Sequence, residues 1–285
     1  MNTTVSITST SPSRHLPVVE FGRSADGLLV ARVGDTAFAM VPTRQGRHFL
    51  ATGLRLSRPL ETWRRDDFYG HSGDVAEEAA FRALVAENAE HQRERAALGR
   101  REVGSRVHTP WGASQGATIY GEGVLCHTTA GHGGFELAPE QNDRVHLLLR
   151  SSSGFYEEDA EWAAVAQALP GLFTGYERRL ADETLRNHWP DAWEAIHGRS
   201  LQPGESRARD RLLFERQHAA DWIVISAVSS DRVPGFVETT ATPGAKRGQG
   251  VERRGFLIPS AEYEPGLFGF VVDPARHQVL TAGDD

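Results

Sequence analysis

The sequence predicts an α+β fold: a small N-terminal β-rich module, a connector helix, then a mainly antiparallel sheet packed with several helices. Three observations lead there. Residues 17–53 alternate short β-type runs with turn signals, and a long helical stretch follows from Asp74. After Gly104 come a hairpin, a group of helices and a closing run of strands. A doubly wound fold would instead alternate strand and helix throughout.

Taken in order, residues 1–14 form a polar, Ser/Thr-rich segment expected to be disordered. Residues 15–104 form the first module. Its strands are read at Val18–Phe21, Gly27–Val33 and Ala37–Val41, the last two joined by a Gly34-Asp35 turn. Asp74 is the expected N-cap of the helix, with Glu77 and Glu78 in its first turn and Phe81, Leu84 and Val85 as its apolar stripe. Arg93, Arg95, Arg100 and Arg101 crowd its end, where cations suit the helix dipole.

Residues 105–285 are expected to form an α+β domain. Ala117–Tyr120 and Gly123–Thr128 read as a hairpin turning at Gly121-Glu122-Gly123, which would deliver His127 and His132 to one end. Helices are expected from Pro139 to about Arg150, from Gly154 to about Pro170, over 174–188 and 190–197 with Pro190 between them, and over 205–220. Trp222–Val228 reads as a buried strand, followed by strands at Phe236–Thr240, Gly255–Pro259 and Leu267–Val272.

Composition narrows the classes. At 285 residues with 39% hydrophobic side chains, the chain can build a core without disulfides, and its one cysteine, Cys126, excludes an internal bridge. That single thiol, the lack of a signal-peptide pattern and the lack of any ~20-residue apolar run favour a cytoplasmic protein with no membrane partner. The net charge of −7 resides almost entirely in residues 105–285. It is too mild for an acidic DNA mimic and has the wrong sign for a protein that binds nucleic acid through overall basicity. Lys246 stands alone among 30 arginines, a bias better explained by GC-rich coding than by guanidinium chemistry.

The densest chemistry lies in Cys126–Phe135, which packs a thiol, two imidazoles, two hydroxyls and three glycines into ten residues. His132 sits between glycines and reads as a presented side chain, either a general acid/base or a backbone-bonded turn residue. His127 and His132, with a carboxylate such as Glu161, could hold a divalent metal, the cofactor this residue set suggests. Cys126 is a candidate nucleophile with His132 as its base, although a lone cysteine on an apolar strand is more commonly a small buried hydrophobe.

A second constellation is Glu157, Glu158, Asp159 and Glu161. On a helix, Glu157 and Glu161 share a face, as do Glu158 and Glu161. Such pairs bind hard cations or divide acid and base roles, although acids at a helix start also follow from the dipole alone. The third is the glycine-rich, basic stretch 240–254. Lys246, Arg247, Arg253 and Arg254 could cradle a phosphate or a nucleic-acid backbone, but the stretch lacks the Gly-Lys-Ser/Thr ending of a P-loop.

Several segments together carry a resemblance. They are Thr109-Pro110-Trp111-Gly112, Thr128–Phe135, Gly154–Asp159, Trp189-Pro190-Asp191-Ala192-Trp193-Glu194 and Asp221–Ala227, continued by Gly244–Arg247, Phe256–Pro259 and Asp273–His277. Over residues 108–277 the chain resembles an uncharacterised family of bacterial proteins met on conjugative plasmids, phages and other mobile elements. Phe155 stands where relatives commonly have Trp, which keeps an aromatic wall. The resemblance implies a setting and no catalytic assignment. The function expected from it is a cytosolic accessory protein that binds nucleic acid or a host defence protein. The alternative is a hydrolase or transferase acting on a phosphate-bearing substrate through His132 with Glu157, Glu158 and Glu161.

Overall fold

The computed structural model describes residues 18–44 and 46–280, so the expected polar tail lies outside the described residues. The chain forms two compact units, the first ending at Asp182 and the second beginning at Glu183. The division expected at 104/105 falls within the first of them. All strand pairings described are antiparallel, and the architecture is α+β. No helix among the described residues is long and apolar enough to cross a membrane.

The first unit opens with a five-stranded meander: β1 (Val19–Arg23), β2 (Leu29–Val33), β3 (Thr36–Pro42), β4 (His48–Leu54) and β5 (Gly70–Val75). Strand alternation sends Ala31, Val33, Phe38, Met40 and Leu50 to one face, where Phe81, Val85 and Ala89 of α1 (Glu78–Ala97) cover them. Val30, Ala37, Ala39, Val41 and Ala51 point the other way and are covered by Leu60, Trp63 and Phe68 from the β4–β5 connection. Both faces are therefore buried, and the strands read as apolar runs more than as alternating ones.

The helix begins later than its sequence suggests. Asp74 lies in β5, paired with Phe49, and Glu77 takes the N-cap position without a side-chain capping bond. Val75, next to Asp74, is buried in the core between sheet and helix, and that burial outweighs a cap worth about 1 kcal/mol.

The rest of the first unit holds a second sheet in the order β12-β11-β10-β9-β6. Its strands are β6 (Arg101–Val103), β9 (Gly116–Gly121), β10 (Val124–Thr128), β11 (Gly133–Leu137) and β12 (Phe155–Glu157), with a small β7 (His108–Thr109)–β8 (Gly112–Ala113) hairpin beside them. Helices α2 (Pro139–Asn142), α3 (Trp162–Ala168) and α4 (Gly175–His188) follow, and the last runs across the unit boundary.

Two expected helices are corrected here. The segment after Pro139 makes a single turn. Asn142 donates to Ser151 O and accepts from the Tyr156 hydroxyl, while Arg150 ties back to Val145 O, leaving Leu147 and Leu148 exposed. Phe155–Glu157 is a strand, because Tyr156 is buried and pairs with Phe135, so helix α3 is delayed to Trp162.

The second unit contains α5 (Pro190–His197), α6 (Arg207–Gln217) and a sheet in the order β13 (Trp222–Ser229), β14 (Phe236–Pro243), β15 (Arg254–Pro259), β16 (Gln278–Leu280). Ala241, Phe256, Ile258 and Val272 form its core with Trp222, Val224, Tyr263 and Phe270 against them. The strand expected as buried at Trp222–Val228 is exposed over its outer half. Leu267–Val272 makes only single bridges, since Gly266 and Gly269 close a turn there, and β16 takes the fourth place in the sheet.

Candidate functional site

Strands β10 and β11 are joined by a tight turn over 129–132, in which both the amide and the hydroxyl of Thr129 bond to His132 O. Register then fixes the faces: His127 pairs with Gly134, which pairs with Glu157, while Cys126 pairs with Phe135 and Phe135 with Tyr156. Adjacent strand residues point oppositely, so Cys126 and His127 lie on different faces.

The two glycines after His132 are required by close approach. A Cβ on Gly133 would lie closer than 3.0 Å to a Glu158 carboxylate oxygen and to His127 O; one on Gly134 would meet Tyr156 O and the Trp111 indole at similarly short range. Their absence of side chains lets β12 and the acids following it settle against the turn that presents His132.

The outcome is a cluster. One ligand-capable atom from each of His132, Glu157 and Glu158 lies within 4.8 Å of the other two. His132 is 61% exposed, and its Nδ1 lies 3.5 Å from Glu157 Oε1. Glu157 Oε2 accepts from the Asp159 amide at 2.8 Å, whereas Oε1 is buried and has no hydrogen-bond partner. A buried carboxylate oxygen without a hydrogen bond, with the His132 ring near it, costs free energy and is a natural position for a cation. The structure thus brings together three of the residues singled out from the sequence, on a strand–turn–strand edge and not along a helix.

The remaining candidates lie elsewhere. Glu161 accepts from the Glu157 amide at 2.9 Å and serves to hold the bend after β12. His127 is buried: Nε2 meets Glu136 Oε2 at 2.8 Å and Nδ1 meets Ser114 Oγ at 3.1 Å, so it does not join His132 and Glu161 in a ligand set. Burial, with Glu158 adding to it against Arg100, pushes the Cys126 thiol up to about 11, which removes the thiolate a nucleophile needs.

In the second unit, the basic stretch links β14 and β15. Arg247 donates to Ile225 O at 3.2 Å, and Arg254 pairs with Glu252 while its guanidinium lies 4.4 Å over the Trp222 ring. Lys246 and Arg253 are exposed. Two of the four cations are thus already engaged within the chain.

Sequence reading passed over Glu136 and Ser114, and gave Trp111 no place beside His132. The usable signal was Gly133–Leu137 as a strand: once 129–132 is a turn, register places Glu136 on the His127 face.

Comparison with known proteins adds a match over part of the chain and no mechanism. No curated protein and no solved structure matches the chain. Residues 104–219, which include Trp111, the His132 turn and the Glu157–Glu158 pair, match the model of a domain of unknown function, DUF7007.

Proposed function

We propose that His132, Glu157 and Glu158 hold a divalent metal ion and that this centre catalyses hydrolysis or transfer on a phosphate-bearing substrate. The observation that supports it is the convergence of the three ligand atoms beside Oε1 of Glu157, which has no hydrogen bond. One imidazole with two carboxylates suits Mn²⁺, Mg²⁺ or Zn²⁺, and three protein ligands leave positions for water and a phosphate oxygen. The ion would polarise the phosphoryl group and stabilise charge in the transition state. Water oxygen forms the new bond to phosphorus, the bond to the leaving alcohol breaks, and the water's proton ends on that alcohol.

The reaction is tested with bis(p-nitrophenyl) phosphate and Mn²⁺. Nitrophenolate release that needs the ion and is lost in His132→Ala and Glu157→Gln, with unchanged melting temperature, supports the reading. No release with Mn²⁺, Mg²⁺ or Zn²⁺, or release unaffected by both variants, contradicts it.

A second reading, an accessory protein of a mobile genetic element working on nucleic acid in the cytoplasm, draws on the second unit. There Arg207 and Arg211 of α6 line a cavity of about 280 Å³ with Phe214, Phe268, Gly244-Ala245 and Glu215, the last paired with Arg211 at 2.8 Å. The two phenylalanine rings lie 5.7 Å apart. Cations beside aromatic rings suit a single strand, with stacking bases and a neutralised backbone. Single-stranded DNA binding that weakens steeply with salt and falls on Arg211→Glu and Lys246→Glu is the expected result. Binding indifferent to both charge reversals removes this reading.

A further inference from the structure

Helix α1 carries two stripes. Phe81, Val85 and Ala89 enter the core, while Leu84, Glu87, Asn88 and His91, spaced as one helix face, border a cavity of about 490 Å³ within the first unit. Alternate residues of β3 and β4 make its floor: Thr36 and Phe38, Leu50, Thr52 and Leu54. Opposite Thr52 stands Gly70, where a Cβ would collide with the threonine hydroxyl, so the floor stays open. The rim exposes apolar surface that no packing inside the unit uses: Tyr69 is 73% exposed and Leu54 58%. A cavity of this volume, with Phe38, Leu50, Leu54 and Leu84 as apolar wall and the hydroxyls of Thr36, Thr52 and Ser72 among them, is in the range of small-molecule sites.

Among the polar side chains, His91 is the one held most firmly. Thr174 is buried, and its Oγ accepts from the Glu177 amide at 3.1 Å and lies 2.9 Å from His91 Nδ1. With the Oγ lone pair engaged by the Glu177 amide, Nδ1 is the acceptor at hand for the Thr174 hydroxyl proton, an arrangement that puts the neutral ring's own proton on Nε2 of a side chain lining the cavity. Burial pushes His91 below the usual imidazole range, with Glu177 opposing and Arg95 and Arg100 adding to the shift, so the ring is neutral near pH 7. Asn88, whose Oδ1 accepts from Gln92 at 2.8 Å, lines the cavity beside it. Glu87 is paired with Arg179, and neither lysine nor arginine lines the cavity.

We infer that this cavity binds a neutral, largely apolar small molecule through a carbonyl group that accepts from His91 Nε2–H. A carboxylate is disfavoured, because no cation lines the cavity to offset its desolvation. The site is independent of the His132 cluster and stands whether or not that cluster binds metal.

The probe is 6-propionyl-2-dimethylaminonaphthalene, a neutral aromatic ketone whose emission reports both polarity and hydrogen bonding at its carbonyl. The expected result is a saturable blue shift with one site per chain, and about tenfold weaker binding of the matched naphthalene carboxylate. His91→Phe, which keeps a ring and removes the donor, should weaken the ketone about tenfold, the scale of one hydrogen bond. Leu84→Arg, at a position 37% exposed, should abolish saturation at unchanged melting temperature. Absence of a saturable shift, affinity retained in either variant with melting unchanged, or preference for the carboxylate overturns the inference.

Discussion

Cys126 and Glu177 show how burial and neighbours set reactivity at single residues. With its thiol at about 11, Cys126 should resist iodoacetamide at pH 7.5 in the folded protein, and Cys126→Ser should leave any activity intact. Rapid alkylation without unfolding would contradict that. For Glu177, burial alone would raise the carboxyl, but Arg100, at 2.5 and 2.7 Å from its two oxygens, and the Thr174 amide hold it below the usual carboxylate range. The folded value is depressed, so its stabilisation is complete above the unfolded carboxyl range near about 4.3 and is lost as pH falls through the folded value. Arg100 also lies 3.9 Å over the Tyr120 ring. Arg100→Met should therefore cost about 3–5 kcal/mol by leaving Glu177 buried and unpaired, read by urea unfolding at pH 7. Glu177→Gln should flatten the loss of stability between about pH 5 and 3. An unchanged acid limb would contradict the pairing.

At the scale of elements, the β10–turn–β11–β12 run is what makes the site. Gly134→Ala would push a methyl into Tyr156 O and the Trp111 ring, so it should destabilise the chain by about 1–3 kcal/mol, measured as a lowered denaturation midpoint. No change would mean that Trp111 does not rest there. Here too lies the boundary of what sequence conveys. Val30–Val33 and Ala37–Val41 declare themselves as strands through apolar density, and Pro190 marks a helix start by its missing amide. His132 and the Glu157–Glu158 pair are visible as residue types beside glycines. The sequence reading joins them in one site but places the acids on a helix; the actual means, β12 adding to β11 through the burial of Tyr156, is hidden by acids that read as a helix start. The cavity beside α1 is equally silent in sequence, since Leu84 and His91 look like an ordinary second stripe until β3 and β4 supply the floor.

The whole molecule divides its chemistry between two units. The His132–Glu157–Glu158 cluster and the cavity beside α1 belong to the first, and the basic stretch with the Arg207–Arg211 face belongs to the second. Each can be tested by variants that leave the other unit untouched. The claim at the centre is that His132, Glu157 and Glu158 form one cation site. Isothermal titration of metal-free protein with Mn²⁺ tests it most directly. One ion per chain is expected, with affinity reduced by more than about tenfold, the scale on which even outer-sphere partners act, in His132→Ala and in Glu157→Gln at unchanged melting temperature. Mn²⁺ binding that survives both substitutions, or no binding at millimolar ion, would contradict the account.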